Sequence, residues 1–361
     1  MIFNKTGKLL RNSFHIGTKK LENVRSYKYL GLVFTPSGEI KSALDDLKSR
    51  ALKAYMSLKN KLGICFTNYP EDTIKLFDTI IKPILLYGSD FWGCLSMPNN
   101  NPIENIHLMF CKHLLGVYRN TTTDGVLLEL GRHPLVIYAQ KAAVKNWERI
   151  KNNNANPLLV ASMNSAQNDN LDWLNKIKLC FTENGMYNLL TINNTDITPY
   201  IHNRLYKRQV DIFNQLAFSR IAKPDSKLRT YNLIKKGIGL ECYLCTIKNI
   251  KYRTALSKFR LSNHQLMIEV GRHKNISKLE RFCPFCSPLV VEDEIHFLIN
   301  CPSYSGIRKE YYDMCVELKP NFPFYTDIQK FIFVMTNANL SVVLSKFIHL
   351  GMERRKELSS S

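Results

Sequence analysis

The sequence predicts a mostly α protein with a small β element at its start and a small Cys/His module near its end. Three observations carry this expectation. Apolar residues recur at steps of three and four along long stretches, as on one face of a helix. Strand-like runs are confined to the first 35 residues. Four of the ten cysteines form two CxxC pairs, one of which is followed by a histidine and a further cysteine at metal-ligand spacing.

Met1 to Phe3 is short and apolar, residues 4–7 are turn-like, and Tyr27 to Phe34 (YKYLGLVF) reads as a buried strand. Thr35 to Gly38 ends that run and starts a helix whose apolar face is Ile40, Leu44, Leu47, Ala51, Tyr55, Leu58 and Leu62. At about 100° per residue, Lys41, Lys48 and Lys59 fall near one line along the helix. They form either a solvated face or a basic stripe offered to a phosphate backbone. Further helices are expected from Asp72 to Leu86, Ile103 to Leu115 and Leu135 to Ile150. Asn152 to Asn170 holds seven asparagines and reads as an exposed linker. Helical patterns resume from Leu171, and a last helix runs from Ile328 to about Glu357. The expected divisions are 1–36, 37–150, the linker 151–170, 171–235 and a basic Cys/His domain 236–361.

Fifty lysines and arginines against thirty acidic residues give a formal charge of +20, which implies an anionic partner, most often nucleic acid. The charge is clustered. Residues 1–60 hold 12 basic against 4 acidic residues, and residues 231–281 hold 11 against 3, so each island carries +8. No apolar run approaches the roughly 18–20 residues of a membrane span, and MIFNKTGKLL lacks a signal peptide's apolar block. The expectation is therefore an intracellular protein, cytoplasmic or nuclear, not secreted, with no membrane partner and with reduced cysteines. Cys65, Cys94, Cys111, Cys180 and Cys315 read as core packing, and Cys242 with Cys245 as a buried thiol pair on a helix face.

Cys283, Cys286, His296 and Cys301 make the pattern C-x2-C-x9-H-x4-C. Two thiolates on a tight knuckle, with a His and a Cys from a second short element, are the tetrahedral N/S set that a structural zinc requires. The alternative is a cluster of reduced cysteines packing beside Phe282, Phe285 and Phe297. The intervening Glu292, Asp293 and Glu294 are expected to pair with Arg281 or Arg308, or to orient His296. Just before the knuckle, basic and aromatic residues interleave at Lys251, Arg253, Lys258, Phe259, Arg260, His264, Arg272, His273 and Lys274. That mixture suits RNA, where charge holds phosphate and rings stack on bases; otherwise it is a solvated basic face. There is no phosphate-cradling glycine loop, GxSxG, HExxH or dinucleotide fingerprint. The pair Asp45-Asp46 lies on the polar side of a helix and lacks the context for two-metal catalysis.

Several segments, in order, resemble the part of non-LTR (LINE-type) retrotransposon reverse transcriptases that follows the catalytic palm. These are SYKYLGLVFTPSG (Ser26 to Gly38), IKPILLYGSDFWG (Ile81 to Gly93), FCKHLLGV (Phe110 to Val117) and ELGRHPL (Glu129 to Leu135). FRLSNHQLMIEVGR (Phe259 to Arg272) and RFCPFCSPLVVEDEIHFLINCPSY (Arg281 to Tyr304) look like that family's C-terminal Cys/His region. The resemblance covers roughly residues 1–310. It implies remnant palm strands, a helical thumb and connection, and a C-terminal Cys/His domain. It also implies a chain without the family's catalytic aspartates, with Cys283, Cys286, His296 and Cys301 as the residues that carry over. The expected function is binding of RNA or DNA, including a primer–template duplex, without catalysis by this chain. The competing expectations are the back half of an active RNA-directed DNA polymerase whose palm is encoded upstream, a protein-interaction module, and a decayed fragment.

Overall fold

The computed structural model describes all residues except 5, 10–11, 96–100, 153–155, 169–171, 192–199, 287–288 and 361. The fold is mostly helical, with two small antiparallel sheets at the N-terminal end and a Cys/His cluster near the other. No single helix among the described residues is long and apolar enough to cross a membrane.

The N-terminal β element departs in detail from expectation. Met1 to Phe3 forms no strand; the first hairpin pairs β1 (Phe14–Ile16) with β2 (Lys19–Leu21), its side chains exposed. The YKYLGLVF run is not one buried strand. It folds back on itself as β3 (Tyr27–Tyr29) and β4 (Leu32–Phe34), with Tyr27 opposite Phe34. Leu30 and Gly31 turn the corner at φ +45° and +82°, conformations that favour a two-residue hairpin turn. Only Leu32 of the run is buried, and the Tyr87 hydroxyl donates to the Leu30 carbonyl at 2.7 Å.

The helix Lys41–Leu62 buries Ala43, Leu44, Leu47, Ala51 and Tyr55, as its periodicity predicts. The stretch from Asp72 to Leu86 is helical but widens into a π turn at Phe77–Ile81, just ahead of Pro83. A proline lacks the N–H that a regular helix needs there, and the wider turn accommodates it. Within the Asn-rich segment Pro157–Asn168 is a helix, begun by the Asn156 side chain, which accepts from Leu158 N at 3.0 Å. The expected boundary on residues 153–155 and 169–170 lies outside the described residues.

The chain divides into two compact units that interleave along the sequence. One comprises Met1–Lys61, Lys75–His107 and His133–Phe213; the other comprises Leu62–Ile74, Leu108–Arg132 and Asn214–Ser361.

In the first unit, the short helix Ser89–Trp92 lies against Leu135–Lys151. The approach is close at Gly93, where an added Cβ would sit 2.0 Å from the Ala139 carbonyl oxygen. Trp147, Ile177, Phe181 and Leu205 belong to one apolar cluster with Cys94 and Cys180. Glu148 ties this cluster to the start of helix Ile201–Ile221, accepting from Ile201 N at 3.0 Å and lying 2.6 Å from His202 Nδ1.

In the second unit, the helices Ile250–Arg260 and Ser341–Ser360 pack together, with Ser305–Leu318 and Asp327–Thr336 beside the latter. Its interior holds charge as well as hydrocarbon. Glu129, fully buried, accepts from Arg260 Nε at 2.6 Å and from the Tyr231 hydroxyl at 2.8 Å. Arg260 Nη2 also reaches Glu241 at 2.8 Å, and Lys235 pairs with Glu241. Gly131 lets the backbone after Glu129 meet Gly239, where any Cβ would stand 2.7 Å from the carbonyl carbon. The ELGRHPL segment thus supplies a buried acid and a close crossing.

Gly93→Ala is expected to destabilise the chain by about 1–3 kcal/mol through overpacking, read as a lowered urea midpoint. Arg260→Ala, which strands the Glu129 carboxylate, is expected to cost about 3–5 kcal/mol. In the same measurement Glu129→Gln/Arg260→Met should be the milder change.

Candidate metal centre

The knuckle is assembled from two local structures. Cys283 and Cys286 sit on a tight turn at the end of an isolated antiparallel bridge, Phe282 opposite Val291, closed by Cys283 N to the Val290 carbonyl at 2.8 Å. His296 opens a π turn, His296–Asn300, and Cys301 follows it, its N–H bonding back to the His296 carbonyl at 2.8 Å. The extra residue of the π turn brings the His and Cys side chains to the same side. The Ser303 hydroxyl joins the two pieces, donating to the Phe285 carbonyl at 2.7 Å.

The four candidate donor atoms all lie within 4.8 Å of one another. Cys283 Sγ is 3.9 Å from Cys301 Sγ, and Cys286 Sγ is 3.4 Å from His296 Nε2. Bonds of about 2.0–2.3 Å to a tetrahedral ion would place such donors about 3.5–3.8 Å apart. The set therefore fits a metal ion with little rearrangement. Cys283, His296 and Cys301 are buried and Cys286 is partly exposed. The Cys301 thiol is held down to about 4, chiefly by the hydrogen bond from Cys283, whose own thiol is pushed up by that bond and by burial. One thiolate is thus favoured within the cluster itself.

Buried polar groups fix the frame around these donors. Arg308 donates to the carbonyls of Leu298, Phe297 and Cys301 at 3.0, 3.1 and 2.7 Å, and the Tyr311 hydroxyl also reaches Leu298. Phe297 packs against Phe259, Tyr304 and Phe347. The acidic triplet pairs with neither expected arginine. Glu292 takes Arg355 at 2.6 Å and Met267 N at 2.6 Å, and Asp293 caps the π turn by accepting from His296 N at 2.8 Å. Glu294 takes Arg229 at 2.5 Å and lies 3.0 Å from His264 Nε2. Burial alone raises the Glu294 carboxyl, but the His264 hydrogen bond and the Arg229 charge outweigh it and bring it to about 2. Arg281 instead serves the carbonyls of Ile268 and Ile276.

The expected nucleic-acid contacts divide sharply. Lys41 is exposed and Lys48 and Lys59 half-buried, with no carboxylate in ion-pair range among the described residues. Lys274 is exposed, and Arg272 is partly exposed, 3.7 Å from Glu269. Arg260 and His264 are corrected: both side chains are internal, Arg260 on Glu129 and His264 on Glu294. Arg253 is buried too, on the carbonyls of Leu244 and Ile247. Three further cysteines depart from expectation, since Cys65, Cys242 and Cys245 are exposed. The sequence gives no sign of Arg355, whose role depends on a carboxylate that only the fold brings near, and Arg308, expected on the acidic triplet, holds carbonyls instead.

The chain matches no protein-family model and no curated protein.

Cys301→Ala is expected to abolish metal uptake, measured as metal per chain after dialysis. Arg308→Leu, which keeps all four donors but frees the carbonyls that aim them, should weaken metal affinity by about 10–100-fold, read by competition with a chromogenic chelator.

Proposed function

We propose that the chain binds nucleic acid, RNA or a primer–template duplex, around a knuckle that holds a structural zinc, and that it catalyses no reaction itself. The observation that carries this reading is the clustered charge. The net +20 is concentrated in two islands, and in the first of them Lys41, Lys48 and Lys59 share one helix with no ion-pair partner among the described residues. Basic side chains so placed neutralise phosphates and release counterions, which ties affinity to salt. The ordered resemblance to the post-palm region of LINE-type reverse transcriptases agrees with this reading. It extends to a grip on the duplex by thumb-like helices and to element RNA or target DNA at the Cys/His region.

Zinc is the ion that the donor set favours, because three thiolates and one imidazole at tetrahedral spacing leave no open position for chemistry. In that role the metal would fix the two knuckle pieces to each other. Cys283, Cys286 and Cys301 would bind as thiolates and His296 through Nε2.

Purified chain is expected to carry about one zinc, and thiol modification should release it. Binding of a duplex oligonucleotide should weaken steeply with salt. Lys41→Gln/Lys48→Gln/Lys59→Gln should lower the slope of log K against log salt by about 0.9 for each phosphate no longer neutralised. Salt-insensitive binding would overturn the electrostatic reading, and primer extension by the isolated chain would overturn the non-catalytic one.

A further inference from the structure

A cleft of about 370 Å³ lies in the second unit, lined by residues of the Ile250–Arg260 and Ser341–Ser360 helices and by Tyr118. That volume suits a single small-molecule-sized group. Ile250, Ala255 and Met352 give it an apolar wall. Tyr118 stands exposed at its side with Lys258 Nζ 4.8 Å over the ring. Gly116 holds that aromatic in place: at φ +67° it brings the chain so near the helix that an added Cβ would lie 2.8 Å from the Thr254 side chain. Asn263 Oδ1 then accepts from Tyr118 N at 3.1 Å.

The flat face of a nucleobase suits the exposed aromatic ring. For the phosphate, Lys251 is exposed, and neither it nor Lys258 has an ion pair among the described residues. The one lining carboxylate, Glu353, lies 2.8 Å from Lys356.

We propose that this cleft receives one unpaired nucleotide of a nucleic-acid strand, its base ring against Tyr118 and its phosphate on Lys251 and Lys258. The inference rests on the nucleic-acid reading above and adds to it a preference for single strands.

The test is fluorescence anisotropy of the full chain with a labelled RNA of about 12 nucleotides and with a duplex of the same length. Tyr118→Ala should weaken single-strand binding roughly tenfold and leave duplex binding unchanged. Lys251→Gln/Lys258→Gln should act in the same direction. Lys41→Gln/Lys48→Gln/Lys59→Gln should instead weaken both ligands. If wild type binds the strand and both cleft variants bind it equally well, the cleft inference is overturned and the general reading stands. Failure of wild type to bind either ligand overturns both. Binding of adenosine monophosphate, abolished in Tyr118→Ala, with no strand binding would overturn the strand assignment in favour of a free nucleotide.

Discussion

Three consecutive carboxylates, Glu292, Asp293 and Glu294, organise the second unit from within. Buried acids of this kind are tolerated only when each finds a donor. Here the donors come from separate stretches of chain. Glu292 joins the last helix through Arg355 and the Met267 turn, and Glu294 joins Arg229, His264 and Ser262. Asp293 stays local and aims the turn that carries His296. The knuckle is therefore not a loose appendage stapled by a metal alone. Its second half is pinned to neighbouring segments by ion pairs that a single neutral substitution would strand.

The same constraint explains what happens to the positive charge. The second basic island holds eleven lysines and arginines, of which Lys235, Arg253 and Arg260 are buried. Part of that island therefore serves internal carboxylates and carbonyls. Of the charge left outside, Lys251 and Lys258 line the cleft beside the exposed Tyr118 ring. The first island differs: Lys41, Lys48 and Lys59 of Lys41–Leu62 run along the flank of its buried face, and none of them is buried.

Much of this was legible in the sequence where the signal is local. The helix Lys41–Leu62 announced its buried face through spacing, and C-x2-C-x9-H-x4-C named four residues that the fold does bring together. What spacing could not show is which charges meet at long range. Arg260 looks like a surface base until Glu129, 131 residues away, is placed against it. Cys65 and the Cys242/Cys245 pair sit among apolar neighbours in sequence but face solvent, because short four-residue helices bury other positions. The YKYLGLVF run read as one strand because apolar character outweighed the turn-forming pair at its centre. The helix Pro157–Asn168 was hidden by asparagines at its ends and middle, although Leu-Leu-Val-Ala lies within it.

The interleaving of the two units also bears on how the chain is made. The second unit draws on residues 62–74, 108–132 and 214–361. On a ribosome, Glu129 emerges long before Arg260 can neutralise it, and Glu292 must wait for Arg355. Neither carboxylate can enter the interior early without stranding a charge, so consolidation of this unit is deferred until Arg260 and Arg355 have emerged. An excised piece beginning at residue 214 would inherit the reverse defect, with Arg260 and Tyr231 folded around an acid that never arrives.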